Sequence, residues 1–288
     1  MVKAVESWLS MSDGTRLYIK DYWPDQAPVA NIVLMHGLGE HCGRHAHVAQ
    51  FFTDRGYAVR SYDHRGHGRS EGRRGDVPAE TTLLEDAECL IDDWMQAQTG
   101  LASASIAKPP LLLGHSMGGL FAARFAIEQR RPLSGLILSS PALALAMNAA
   151  EKLLLRLLSA LAPGLGVSNE LKTVYLSHDA AVVDAYKADP LVHGRISARL
   201  LNAMLAAITL TQQQAASLNL PVLMLVAGQD FLVDHQGSLS FFEHLHPEQA
   251  TLHLYSELYH ELFNETEAAK VFADMNRWLD QQHHRLAA

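Results

Sequence analysis

A short apolar run, Leu111-Leu112-Leu113, passes directly into Gly114-His115-Ser116-Met117-Gly118-Gly119 and then into a helix-compatible stretch. Few backbones accommodate that order. A strand must turn into a helix within a few residues, with a serine at the apex and a glycine two places to either side. Gly114 and Gly118 carry no Cβ, so strand and helix can approach closely there. A serine on such a turn sits on strained backbone, clear of the sheet. The helix that starts behind it directs unpaired N–H groups at the same spot, where they stabilise developing negative charge. The motif therefore predicts a β-α unit and a nucleophile, Ser116.

The flanking chain supplies more units of the same kind. Residues 8–12 and 17–22 read as two strands about Asp13-Gly14. Residues 30–35 read as a buried strand, 46–54 as a helix stopped at Arg55-Gly56, and 57–62 as the next strand. Within 81–98, Leu84, Ala87, Leu90, Ile91 and Trp94 recur at helical spacing. A loop of small residues, 100–108, leads to the Ser116 strand, and 134–139 is a further strand ended by Pro141. Alternation stops over 142–213, where only helical stretches rich in Leu and Ala are read. It resumes with strand 221–226, helix 236–245, strand 251–255 and helix 265–282. This succession predicts an α/β fold with a mostly parallel central sheet and helices on both faces. The organisation expected is a core in two parts, 1–141 and 214–288, with a helical lid inserted at 142–213. At 48% hydrophobic and 19% charged residues, the chain has the apolar material for such a core.

A serine hydroxyl is a weak nucleophile at neutral pH and needs a base, which in turn needs an orienting carboxylate. The loop after strand 221–226 carries Gly228-Gln229-Asp230, and the loop after strand 251–255 carries Tyr259-His260-Glu261. Both loops fall at the carboxyl edge of a parallel sheet, where ligands bind. Asp230 and His260 are the predicted acid and base; Asp234 is the rival acid, less favoured because it lies further from the strand end. His115 adjoins Ser116, so its side chain should point elsewhere, and it reads as packing. Two backbone donors should face the oxyanion. One is the N–H of Met117, after the nucleophile; the other is the N–H of Leu38, in the loop His36-Gly37-Leu38-Gly39.

Taken together, three early motifs and three later ones resemble one family. The early ones are His36-Gly37-Leu38-Gly39-Glu40-His41, Asp63-His64-Arg65-Gly66-His67-Gly68-Arg69-Ser70-Glu71-Gly72 and Gly114-His115-Ser116-Met117-Gly118-Gly119. The later ones are Asp189-Pro190-Leu191-Val192-His193, Gly228-Gln229-Asp230 with Val233-Asp234, and Tyr259-His260-Glu261-Leu262-Phe263-Asn264-Glu265. In this order, over most of the chain, they resemble the monoacylglycerol lipase and lysophospholipase group of α/β hydrolases. The resemblance implies an α/β-hydrolase fold, Ser116 as nucleophile, Asp230 as acid, His260 as base, and Leu38 and Met117 as oxyanion donors. It also implies a lipid monoester substrate, with a short-chain carboxylesterase or a non-catalytic binding protein as alternatives. One departure is Leu38, where eukaryotic members carry a small residue.

Other signals carry less. His41, His45 and His47 include an i, i+4 pair, but no convincing third ligand follows, and no metal is expected. The chemistry calls for no cofactor. Arg65, Arg69, Arg73 and Arg74 read as a structural loop, with phosphate recognition the minor alternative. Glu40 and His41 read as braces of the oxyanion loop. In the lid, the run 153–161 is apolar around much of its girth; Leu154 and Leu158 share one helical face and are the candidate acyl-binding residues, with packing on the core as the bland alternative. The same helix could touch a membrane or micelle surface transiently. A formal charge of −8, from 23 basic and 31 acidic residues, offers nucleic acid no general attraction. No secretory h-region and no apolar run of membrane-spanning length is read. Cys42 and Cys89 are expected as free thiols, and the location expected is the cytoplasm, with peripheral membrane contact as an option.

Overall fold

A computed structural model of the protein describes residues 3–98, 108–169 and 171–287, without side chains beyond 282. The small-residue loop read at 100–108 lies, except for Lys108, outside the described residues.

The first two strands, β1 (Lys3–Ser10) and β2 (Arg16–Trp23), form an antiparallel hairpin about Gly14, whose φ is +84°. Next come β3 (Ala30–Met35), α1 (Ala46–Thr53), β4 (Tyr57–Tyr62), α2 (Thr82–Gln98), β5 (Leu111–His115), α3 (Met117–Ile127) and β6 (Gly135–Ser139). After an interruption the pattern resumes with β9 (Val222–Ala227), α7 (His235–Glu243), β10 (Ala250–Tyr255) and α8 (Ala268–Ala287). Among the described residues the main sheet has eight strands in the order β1-β2-β4-β3-β5-β6-β9-β10. β2 pairs antiparallel with β4; from β4 to β10 every pairing is parallel.

The inner parallel strands β3, β4, β5, β6 and β9 are buried on both faces because successive side chains feed two separate apolar layers. Val33, Met35, Leu112, Leu136, Leu138, Met224 and Val226 join one cluster with residues of α2, α3, α7 and a later helix, α6 (Ala198–Gln214). Ile32, Leu34, Leu111, Leu113, Ile137, Leu223 and Leu225 join the other, with residues of α1 and α8. Leu84, Ala87, Leu90, Ile91 and Trp94, the helical stripe read from the sequence, are all buried in the first layer.

Within 142–213 lie α4 (Ala149–Leu161), β7 (Gly166–Ser168), α5 (Ala180–Ala188), β8 (Arg195–Ser197) and α6 (Ala198–Gln214). This stretch was expected to be only helical, but β7 and β8 pair antiparallel. Three-residue strands are too short to show a period-2 pattern, so the pair was not legible. The helices differ in kind. α6 buries Leu200, Ala203, Met204 and Ala207 in the first core layer, whereas α4 buries no residue. Leu and Ala favour α4 intrinsically. Its start is held by a capping box, with Glu151 N–H donating to Asn148 Oδ1 at 3.0 Å and Asn148 N–H to Glu151 Oε2 at 2.8 Å.

Candidate active site

The carboxyl ends of β3, β5, β9 and β10 share one edge of the sheet, and each releases a loop carrying a predicted site residue. Between β5 and α3 the chain turns at Ser116, a non-glycine residue with φ 54° and ψ −120°. That conformation is strained, and its surroundings hold it: Ser116 N–H donates to Ser139 O, and Ser116 O accepts from Ala142 N–H, both at 3.0 Å. A Cβ on Gly114 would lie 2.4 Å from Gly118 O, and one on Gly118 would lie 2.3 Å from Met35 O. Only glycine fits either place, as the motif demands. Met117, first in α3, presents an N–H that has no acceptor within the helix.

Leu38 and Met117, the predicted oxyanion donors, line one cavity together with Gly37, Ser116 and His260. The loop holding Leu38 is braced from beneath. Gly37 N–H donates to Glu40 Oε1 at 2.6 Å, and that oxygen also meets His45 Nε2 at 3.0 Å. Glu40 Oε2 accepts from Arg44 at 2.8 Å. His41 instead bonds Asp189 Oδ2 at 2.8 Å.

His260 Nδ1 bonds Asp230 Oδ2 at 2.6 Å, and both side chains are buried. The other carboxylate oxygen, Oδ1, accepts the N–H groups of Leu232 at 2.9 Å and Val233 at 3.0 Å. Burial pushes Asp230 upward, but the His260 charge, their hydrogen bond and the two N–H donors outweigh it and hold the carboxyl below its usual value. Burial pushes His260 downward, yet Asp230, with Glu261 and Glu40 behind it, raises the imidazole above its ordinary value. Asp234 caps α7 through Gln236 N–H at 3.0 Å, so the structure pairs Asp230, and not its rival, with His260.

His115 is buried in the cavity wall, its ring 4.9 Å from that of His260 and 5.6 Å from that of His45. Burial, then the His260 charge, push it down to about 3, so it stays neutral. Of the three histidines weighed as ligands, His45 meets Glu40, His41 meets Asp189, and His47 meets Phe263 O at 3.0 Å. Among the described residues no cluster of three or more His, Cys, Asp or Glu side chains is arranged for a metal. Arg65 is bonded to Asp86 and Asp13, and Arg69 to Glu6, as in a structural loop. Cys42 and Cys89 are unpaired, the first buried and the second exposed.

Sequence reading missed Arg44, Tyr186, Phe231 and Glu261. Arg44 Nη1 and Nη2 reach Glu261 Oε1 and Oε2, and the guanidinium lies 4.6 Å over the Tyr186 ring. These residues stand on different loops and helices, with no local pattern to join them. The cavity measures about 760 Å³, and Leu154, Leu155 and Leu158 of α4 contribute to its wall.

The family model described as "Serine aminopeptidase, S33" matches residues 26–267. A monoacylglycerol lipase of Mycolicibacterium smegmatis is 36% identical over 92% of this chain and 93% of its own. The phospholipase YtpA of Bacillus subtilis is 33% identical over 90% and 98% respectively. The crystal structure of the Paleococcus ferrophilus monoacylglycerol lipase superposes with a TM-score of 0.78 at 31% identity, over 92% of this chain and 99% of that one. With the elbow, the sheet order and these matches in agreement, the chain belongs to the serine aminopeptidase S33 family of α/β hydrolases.

Proposed function

We propose that this chain is a serine esterase that hydrolyses monoacylglycerols through an acyl-enzyme on Ser116. The observation that carries the reading is one cavity of about 760 Å³ that contains Ser116 and His260 and has Leu145, Leu154, Leu155, Leu158, Leu201 and Met204 in its wall. A reacting centre that shares its cavity with this many leucines suits an ester of a long acyl chain. The related monoacylglycerol lipase of Mycolicibacterium smegmatis supports the same substrate class.

In this reading His260 Nε2 takes the Ser116 hydroxyl proton as Oγ attacks the ester carbonyl. The N–H groups of Leu38 and Met117 hold the oxyanion. Collapse breaks the ester bond, and His260 returns the proton to the leaving glycerol oxygen. Water, deprotonated by His260, then attacks the acyl carbon; the acyl–Oγ bond breaks, His260 returns the proton to Ser116 Oγ, and the fatty acid leaves. Asp230 orients the imidazole throughout and offsets its charge.

Residues 142–213 act as the lid, with α4 as the acyl wall. Leu153, Leu157 and Leu161 on α4 are 57%, 52% and 82% exposed, and Lys152 and Arg156 flank them. That face suits transient contact with a lipid surface. Among the described residues no helix is long and apolar enough to cross a membrane. Two unpaired cysteines agree with action in a reducing compartment such as the cytoplasm. A lysophospholipid is the second reading, favoured by Lys172 in the cavity wall and by the related phospholipase.

The test compares wild type with Ser116→Ala on monoacylglycerol, lysophosphatidylcholine and a short-chain ester. Turnover of monoacylglycerol should fall by roughly six orders of magnitude in the variant, and a fluorophosphonate should label the wild type but not the variant. A variant that keeps a tenth of wild-type turnover removes the mechanism. A wild type that prefers the lysophospholipid or the short ester replaces the substrate.

A further inference from the structure

One buried carboxylate outside the reacting groups holds the loop that carries His260. The Glu265 side chain is fully shielded from solvent. Its Oε1 accepts Tyr259 N–H at 2.7 Å and bonds His178 Nδ1 at 2.8 Å. Its Oε2 accepts the N–H groups of His178 and Thr266, each at 3.1 Å. Four N–H groups thus converge on one carboxylate, and one of them belongs to the residue immediately before His260. A carboxylate is an acceptor at every lone pair, which is what four converging donors require.

The same carboxylate ties that loop to the segment 175–178 of the insertion. The His178 ring stacks on the Tyr259 ring with centroids 3.6 Å apart at 22°. Alongside, Ser177 Oγ donates to Asn264 O at 2.8 Å, Glu261 N–H to Leu176 O at 2.8 Å, and His260 N–H to Tyr175 O at 3.4 Å. Tyr175 closes the clasp from the other side, its ring 4.6 Å from Phe231, the neighbour of Asp230. Segment 175–178 therefore touches both arms of the Asp230–His260 pair, and Tyr175 and Leu176 also line the cavity.

We infer that Glu265 is a positioning residue for the reaction: by fixing the backbone at Tyr259 it aims His260 between Asp230 and Ser116. It locks that aim to the wall of the substrate cavity through His178. The inference rests on the reading of His260 as the base. Glu265 touches neither the substrate cavity nor the reacting atoms, so its effect should fall on turnover and not on binding.

Glu265→Gln tests this, because the amide keeps the shape but turns a donor toward N–H groups. On a monoacylglycerol, kcat should fall by up to about a hundredfold, as expected for a displaced catalytic group, while KM moves by less than roughly twofold. The downfield proton NMR signal of His260 Nδ1–H, which needs no substrate, should broaden or vanish. Should Glu265→Gln not fold, His178→Ala decides: it removes the stack and one bond to Glu265 but leaves the Tyr259 bond. That variant should lower kcat and broaden the same signal to a smaller degree. A folded Glu265→Gln, or failing that His178→Ala, with wild-type kcat and an unchanged signal overturns the inference, even if its melting temperature drops. A wild type that shows the signal but cleaves no ester, with the signal lost in Glu265→Gln, sinks the esterase reading and leaves the positioning role standing.

Discussion

Arg44 and Glu261 meet in a two-bonded ion pair, Nη1 to Oε1 at 2.6 Å and Nη2 to Oε2 at 2.8 Å, directly behind His260. Nη1 also reaches Glu40 Oε2 at 2.8 Å, so one guanidinium joins the brace of the Leu38 loop to the residue after His260. Burial opposes the charge on Arg44, but hydrogen bonds and charge from Glu261 and Glu40 keep it firmly protonated. Charge-assisted, bidentate contacts of this kind are the strongest hydrogen bonds proteins make.

Removing the guanidinium should therefore be costly. Arg44→Met leaves Glu40 and Glu261 buried without their cation, a change that typically costs about 3–5 kcal/mol. Urea denaturation should show that loss, and the double variant Arg44→Met/Glu261→Gln should recover part of it. Equal stability of wild type and Arg44→Met would mean the pair contributes nothing.

Acid and rival acid can be separated by conservative amides. Asp230→Asn should reduce turnover by roughly four orders of magnitude, because the imidazole loses the partner that fixes its tautomer. Asp234→Asn should be nearly silent, since Asn caps a helix about as well as Asp. The reverse ranking, measured on one ester at saturating substrate, would hand the role to Asp234.

The pH–rate profile should carry the signature of the carboxylates around His260. In the proposed mechanism His260 must be neutral to accept the Ser116 proton, so kcat/KM should fall as pH drops through the His260 pKa, which lies above the ordinary 6.5. Glu261 is one of the charges that raise it. Glu261→Gln should therefore move the acid limb to lower pH, with the plateau preserved to within about tenfold. An acid limb that stays put or moves upward excludes this electrostatic role.

Stability should fall on acidification before the carboxylates titrate. His36, His64, His67 and His115 are buried, and burial, reinforced in three of them by neighbouring histidines, holds them below 6.5, His64 at about 4 and His115 at about 3. The unfolded chain binds protons there that the folded chain refuses. Their stabilising effect is thus complete above pH 6.5 and is lost as pH falls toward the folded values. His260, whose pKa is raised, acts in the opposite sense: its contribution is present below 6.5 and is lost as pH rises through its folded pKa. Urea midpoints should decline steadily from pH 6.5 to 4.5, a range in which the His260 contribution is already complete; a flat profile would contradict the buried neutral state of the four.

The helix α4 offers the last test. Each methylene buried along its wall should contribute up to about 0.8 kcal/mol, nearly fourfold in binding. Specificity constants should climb with acyl length until the chamber is full. Replacing Leu154 and Leu158 with Ser should flatten that climb and leave acetyl-ester hydrolysis almost unchanged. A ratio of long-chain to acetyl specificity that does not move, in a folded variant below the micelle threshold, places the acyl path elsewhere.

Strand-helix alternation and the Ser116 turn were readable from the chain alone because both rest on local rules. Buried strands need apolar runs, and the turn needs Gly114 and Gly118 where Gly118 O and Met35 O leave no room for a Cβ. Asp230 and His260 were also legible, since each follows directly from a strand end, and parallel strands bring their carboxyl ends to one edge. The β7–β8 pair was not, being too short for any period. Nor could the sequence decide that α6 is built into the core while α4 stays outside it; both are rich in Leu and Ala, and burial depends on which surface each one meets. Arg44 with Glu261, and Glu265 with Tyr259 and His178, belong to the tertiary structure for the same reason. A buried charge finds its partner across the fold, through contacts that no spacing along the chain records.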